Sequence, residues 1–177
     1  KEKGIEFKLK YDKNIPSIIK SDKTRLTQIL TNLLGNAVKF TNAGFVEFNI
    51  SLQEKDSTSA LIDFEIKDSG IGIPKSKQNT IFESFSQANM NITRKYGGTG
   101  LGLAITKKIL ELFHSSIAVR SKEGVGTSFF FSLSLETAKT GALRKKASII
   151  TDEMYAKMNG AKVLIVDDNP LNTLIAK

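Results

Sequence analysis

Between residues 21 and 41, Leu26, Ile29, Leu30, Leu33, Leu34, Ala37 and Val38 recur at helical spacing and form one apolar stripe. Ser21 or Asp22 supplies an oxygen that can cap the start of this helix. At about 100° per residue, Arg25, Gln28, Asn32, Asn36 and Lys39 gather on the opposite side. A period of two follows. Residues 4–10, 45–52, 60–67, 117–121 and 127–135 alternate apolar and polar, as half-buried strands do. The polar run QEKDSTS between the second and third of these reads as a hairpin loop, and TNAG at 41–44 as a helix stop and turn. A second amphipathic helix runs from the glycine-rich stretch 97–102 to about residue 113, with Leu101, Ile105, Ile109 and Leu112 expected on its buried face.

Two asparagines one turn apart beside a lysine are unusual on a helix surface, where Glu and Lys are better helix formers. They leave two readings open. The amides are solvated, or an amide oxygen ligates a hard cation while Lys39 faces an anion. The turn DSGIGIP at 68–74 comes directly off a strand, and Pro74 can open a short helix. It is either a plain connection or a pocket in which Asp68, walled by Ile71 and Ile73, accepts from the amino group of a planar ligand. IFESF at 81–85 reads as core packing. Residues 86–96, polar and followed by Gly97 and Gly98, read as a glycine-hinged lid carrying Arg94 and Lys95. GGTGLGL then enters a helix N-terminus, where N–H groups and the helix dipole favour an anion. Its spacing matches neither the dinucleotide fingerprint nor the phosphate loop of P-loop proteins.

Composition narrows the class. The chain of 177 residues, 40% apolar and 25% charged, suits one globular domain with a further segment. Without cysteine there is no disulfide framework or thiolate metal site, which suits a reducing compartment. No apolar run approaches the roughly 20 residues of a membrane span, so no membrane contact is expected of this chain. The net charge of +8 raises nucleic acid as a partner. The 26 basic residues are scattered among 18 acids, however, and no basic helix is interleaved with aromatics, so that reading is set aside. A polyanionic small ligand benefits from the same field.

Together and in this order, NLLGNAVKFT, DSGIGI, IFESFSQ and GGTGLGL resemble the boxes of the ATP-binding catalytic domain of sensor histidine kinases. The superfamily is shared with type II topoisomerases, the ninety-kilodalton heat-shock chaperone and mismatch-repair ATPases. The resemblance covers roughly residues 1–135 and implies an α/β two-layer sandwich, a mixed sheet with helices on one face. It implies ATP and Mg²⁺ as cofactors. Asn36 should hold the Mg²⁺ that bridges the phosphates, supported by Asn32, while Lys39 meets the phosphates and Phe40 packs near the adenosine. Asp68 should take the adenine amino group, aided by a water near Thr127, with Gly70, Gly72 and Ile73 shaping the base pocket. Gly98, Thr99, Gly100, Leu101 and Gly102 should wrap the triphosphate, with Arg94, Lys95 and Tyr96 reaching it from the lid. Lys39 and Arg94 are the expected catalytic cations. ATP hydrolases of this superfamily resemble one another in a glutamate one turn before the metal-binding asparagine. Here that residue is Asn32, and an amide is a poor general base, which favours transfer over hydrolysis. The competing functions are an ATP hydrolase driven by nucleotide-dependent dimerisation and a non-catalytic nucleotide sensor.

The expected acceptor is a histidine on a helical hairpin preceding the first strand, a partner outside this chain, in a parent that is a homodimer. His114, the sole histidine, lacks the acidic residue and proline that usually follow the family's acceptor and reads as a helix C-terminal residue near the dipole. Where the family often has Gly-Gly, this chain has Ser115 and Ser116. Residues 137–161 read as a linker. The tail KVLIVDDNPLN resembles the first strand and acidic pair of a receiver domain, in which Asp167 and Asp168 would hold Mg²⁺ if the domain were intact. The expected organisation is therefore a catalytic domain at 1–136, a linker at 137–161 and a truncated receiver start at 162–177. The expected parent is a hybrid histidine kinase, with a cytoplasmic catalytic domain and the option of a membrane anchor. This piece should bind Mg·ATP without phosphorylating itself, and its tail should be unfolded or paired with a neighbour's sheet edge.

Overall fold

In a computed structural model of the chain, residues 4–83 and 100–138 are described. The elements are β1 (Glu6–Tyr11), β2 (Ile19–Lys20), α1 (Lys23–Phe40), β3 (Phe45–Lys55), β4 (Ser59–Asp68), a 3₁₀ turn (Lys75–Lys77), α2 (Gly102–Leu112), β5 (Ile117–Lys122) and β6 (Gly126–Thr137). The strands form one six-stranded sheet in the order β1-β3-β4-β6-β2, with β5 on β6 beside β2. β1 runs parallel to β3, and every other pairing is antiparallel. The sheet is therefore mixed, and its helices pack on one face, as expected.

Alternation along β4 and β6 explains why only one face is covered. Ala60, Ile62, Phe64 and Ile66 point the same way as Phe129, Phe131, Leu133 and Leu135, and all are buried. Phe64 and Phe131 stack at 4.8 Å between centroids. Onto this surface α1 lays Ile29, Leu33 and Ala37, and α2 lays Ile109 and Leu110. Each fully buried Leu or Ile contributes about 1.5–3 kcal/mol over an exposed one, so the sheet–helix seam outweighs any surface ion pair.

Several boundaries move. Asp22, rather than Ser21, caps α1, its carboxylate accepting from the Arg25 N–H at 3.0 Å. Val38, expected in the apolar stripe, is 43% exposed because it lies about 100° around the helix from the buried Ala37. β2 was not foreseen, since a two-residue strand is too short to alternate. The QEKDSTS loop shrinks to residues 56–58, because both strands extend past a bulge between Leu52 and Glu54. The Asp56 carboxylate closes the remaining turn by accepting from the N–H groups of Thr58 and Ser59. Those bonds, with the hydroxyls of both residues, hold Asp56 far below the usual carboxylate range.

The buried face of α2 is rotated from the expected one. Ile109 is buried, but Ile105 is 40% and Leu112 is 72% exposed, while Ala104, Thr106 and Leu110 turn inward. Counting apolar residues favoured Ile105 over Thr106. The fold chooses otherwise, because Thr106 has a polar partner on α1 and Ala104 is small enough for close approach. Ile81 is buried and Phe82 meets Phe129 edge-on at 6.3 Å, so the core reading of that segment holds for these two residues.

Candidate functional site

The site is assembled where the turn after β4 meets three other elements. The Ile71 N–H donates to the Phe40 carbonyl oxygen at 3.2 Å, fixing the turn to the end of α1. A Cβ at Gly70 would collide with that same carbonyl and lie 2.9 Å from Asp68 Oδ1, so the close approach requires glycine. On the other side, the Gly124 N–H donates to the Ile71 carbonyl at 2.8 Å. Gly72 sits at φ +68° with the Lys122 carbonyl where a Cβ would be. The DSGIG segment is thus clamped between the end of α1 and the β5–β6 turn.

Asp68 is the final residue of β4 and is 6% exposed. Its Oδ1 accepts from the Gly70 N–H at 2.8 Å. Burial pushes its carboxyl above the usual aspartate value, and backbone N–H donors at Gly70 and Thr127 act against that rise. Among the described residues no cation takes part, so this carboxylate is a buried acceptor without a counter-charge. Thr127 pairs with Asp68 across β4 and β6 and is also buried.

Pro74 precedes the 3₁₀ turn, as the sequence predicted. Gln78 in that region donates through Nε2 to the carbonyls of Ile73 and Ser121, both at 2.9 Å. The Ile73 N–H donates to Ser121 Oγ at 2.7 Å. Neither Gln78 nor Ser121 was among the expected site residues, yet together they hold the Ile73 wall. Ser121 had a readable signal. It and Thr127 are equidistant from Gly124, so a hairpin centred on that glycine places them opposite each other, as β5 and β6 do.

On α1, Asn32, Asn36 and Lys39 are half-buried. Asn32 Nδ2 donates to Thr106 Oγ1 at 2.7 Å, and a Cβ on Gly102 would collide with Asn32 Oδ1. Asn32 therefore ties the start of α2 to α1. Lys39 Nζ lies 5.0 Å from the centroid of the Phe40 ring. Gly100 adopts φ 72°, Leu101 and Gly102 follow, and no side chain caps the start of α2. Of the expected residues, Asn32, Asn36, Lys39, Phe40, Asp68, Gly70, Gly72, Ile73, Gly100, Leu101, Gly102 and Thr127 are described. Arg94, Lys95, Tyr96, Gly98, Thr99, Asp167 and Asp168 lie outside the described residues, as do the lid, the linker from 139 onward and the receiver-like tail.

The donor set bears on Mg²⁺. Among the described residues no group of three or more His, Cys, Asp or Glu side chains could hold a metal ion. The amide oxygen at Asn36 is a hard donor that suits a Mg²⁺ arriving with phosphates and keeping several waters. Among the described residues, this donor set would fit an ion that arrives with its nucleotide rather than one held in a protein-made cage. No helix among the described residues is long and apolar enough to cross a membrane.

Comparison with known proteins agrees with the fold. The profile of the family described as histidine kinase-, DNA gyrase B- and HSP90-like ATPase matches residues 21–137. Hybrid signal transduction histidine kinase B of Dictyostelium discoideum is 43% identical over 132 residues, covering 75% of this chain and 7% of the relative. The autoinducer 2 sensor kinase/phosphatase LuxQ of Vibrio vulnificus is 36% identical over 178 residues, covering 100% of this chain and 20% of the relative. This chain thus spans a fifth or less of these relatives' length. Among solved structures, full-length ShkA in complex with AMPPNP superposes with a TM-score of 0.64 at 34% identity, over 78% of this chain and 27% of that one. The chain belongs to the histidine kinase-, DNA gyrase B- and HSP90-like ATPase family, and within it is similar to the ATP-binding catalytic domains of sensor histidine kinases.

Proposed function

We propose that this chain binds Mg·ATP and donates the γ-phosphoryl group to a histidine on a helical hairpin of the same parent, a dimeric hybrid sensor kinase that relays it to a receiver aspartate. The observation that carries the reading is Asp68: a buried acceptor without a counter-charge among the described residues, beside a turn whose glycines admit a ligand against the backbone. Such a group suits the exocyclic amine of adenine. Asn36 then holds the magnesium of the substrate, with Asn32 beside it, and Lys39 meets the phosphates over the Phe40 ring. The start of α2, from Gly100 to Gly102, receives the triphosphate through backbone N–H groups. Arg94, Lys95 and Tyr96 approach from the lid, and Gly98 and Thr99 join the wrap around the triphosphate. Fixed cations and the metal offset charge that spreads during transfer, so positioning supplies most of the catalysis.

Transfer is favoured over hydrolysis by Asn32, whose amide is engaged with Thr106 and is a poor general base. In the wider organisation, residues 137–161 link this domain to a receiver domain beginning at 162, where Asp167 and Asp168 form the acidic pair, and the domain works in the cytoplasm. The test adds the helical hairpin in trans with γ-labelled ATP and looks for acid-labile phosphate on its histidine. Phosphate release to water at the same rate with and without the hairpin supports a hydrolase instead. Asn36→Ala should remove the Mg²⁺ dependence of ATP binding, and a retained dependence would contradict the metal role.

A further inference from the structure

We infer that Ser121 is a positioning residue that fixes the direction of the Thr127 hydroxyl and thereby makes the floor of the base pocket select a hydrogen-bond donor. The inference rests on the nucleotide reading above and adds to it a residue outside the family boxes.

Ser121 Oγ has three neighbours at hydrogen-bond distance. It accepts from the Ile73 N–H at 2.7 Å, lies 2.8 Å from the Gly126 carbonyl and lies 2.9 Å from Thr127 Oγ1. A serine hydroxyl carries one proton. The Gly126 carbonyl can only accept, so that proton goes to Gly126. The contact with Thr127 must then be made by the Thr127 proton, donated to Ser121. Thr127 is left with lone pairs alone to offer a ligand. Its backbone N–H is directed at the Asp68 carboxylate, which when ionised is also an acceptor only.

Register places the three side chains in a row. Asp68 pairs with Thr127, and Thr127 with Ser121, across adjacent strands. A ligand entering beside Asp68 and Thr127 meets two acceptors and must bring donors, either an amino group or a bridging water. A 6-amino purine satisfies this. A 6-oxo purine places an acceptor against acceptors and leaves buried polar atoms unpaired, the situation in which hydrogen-bonding sites discriminate most strongly. Ser121 also holds the Ile73 N–H, so the same oxygen fixes both the wall of the pocket and the polarity of its floor.

The experiment measures binding of Mg·ATP and Mg·ITP by the whole chain, using ITP as the 6-oxo probe. The unaltered chain should prefer ATP. In Ser121→Ala the Thr127 hydroxyl can turn its proton toward the 6-oxo group, and the ATP/ITP affinity ratio should fall about tenfold, one hydrogen bond's worth. Ser121→Thr should restore the ratio, since it restores the hydroxyl. In a Thr127→Val background Ser121→Ala should leave the ratio unchanged, because the group it orients is gone. A Ser121→Ala variant that loses affinity for both nucleotides in equal proportion would show a merely structural role and overturn the proposal. If that variant does not fold, Ser121→Cys, close in volume, is judged by the same ratio. An unaltered chain that binds neither nucleotide would overturn the nucleotide reading and this proposal with it. Strong ATP binding with an unmoved ratio in the variants overturns this proposal alone.

Discussion

The amide of Asn32 donates to the hydroxyl of Thr106 at 2.7 Å, and this bond joins the middle of α1 to the first turns of α2. Thr106 is 1% exposed, so its hydroxyl has no ready replacement from water. Thr106→Val removes the acceptor and leaves a half-buried amide unsatisfied. The expected cost is about 1–2 kcal/mol of folding stability, visible as a lower urea midpoint with an unchanged slope. An unchanged midpoint would show that the bond contributes nothing net.

Asp68→Asn keeps the shape of the carboxylate but removes its charge. Adenine-nucleotide affinity should fall by about 1–3 kcal/mol through loss of a charge-assisted bond. Calorimetry with ADP measures it, and unchanged affinity would remove Asp68 from the base pocket.

The raised pKa of Asp68 makes a linked prediction about pH. Its folded-state value lies above the ordinary 3.8, so the protonated form is favoured in the fold. Its contribution to stability is therefore greatest below 3.8 and is lost as pH rises through the raised folded value. Nucleotide binding should run in the opposite direction, because the ionised carboxylate is the acceptor. Affinity should weaken on acidification starting above the pH at which an ordinary aspartate titrates, and Asp68→Asn should flatten that part of the profile. Identical profiles for the two proteins would contradict the assignment.

His114 occupies the left-handed region at φ 54° immediately after α2. Its N–H donates to the Glu111 carbonyl at 3.0 Å and that of Ser115 to Leu110 at 2.9 Å, the paired bonds of a Schellman ending. Glycine is the natural occupant of that position, and a side chain there costs roughly 1–2 kcal/mol. His114→Gly should raise stability by about 1 kcal/mol after the added freedom of the unfolded chain is counted. A lower melting temperature would show that the imidazole makes compensating contacts.

Gly70→Ala separates shape from chemistry at the site. Its φ is not the obstacle; the Phe40 carbonyl and the Asp68 carboxylate occupy the space a methyl group needs. The turn must lift from α1, with a loss of more than about 2 kcal/mol in stability and weaker ADP binding. Thermal unfolding with and without ADP reads both effects, and a variant equal to the parent in both would mean the turn shifts without cost.

Much of this was legible in the chain because local rules and tertiary packing agree. The stripe from Ile29 to Ala37 foretold α1, alternation foretold the long strands, and the glycines at 70 and 72 mark places where backbone meets backbone. The misreadings occur where a polar partner outweighs apolar counting. Thr106 turns inward for Asn32 while Ile105 and Leu112 remain outside. The Ser121 arrangement leaves a fainter trace: RSKEGVGT carries no apolar pattern, and its one signal is the equal spacing of Ser121 and Thr127 about Gly124, which the register of β5 and β6 turns into a contact.

β6 lies in the interior of the sheet, between β4 on one side and β2 and β5 on the other, and Thr127 stands near its beginning. As the chain leaves the ribosome, Asn36, Asp68 and the glycine turns are all made before the strand that joins the sheet together. Until β6 arrives, the inner edge of β4 is an unsatisfied ladder and the proposed base pocket lacks the Thr127 hydroxyl. On the proposed reading nucleotide therefore cannot serve as an early template for this fold; the site forms only once β6 has been made and has docked.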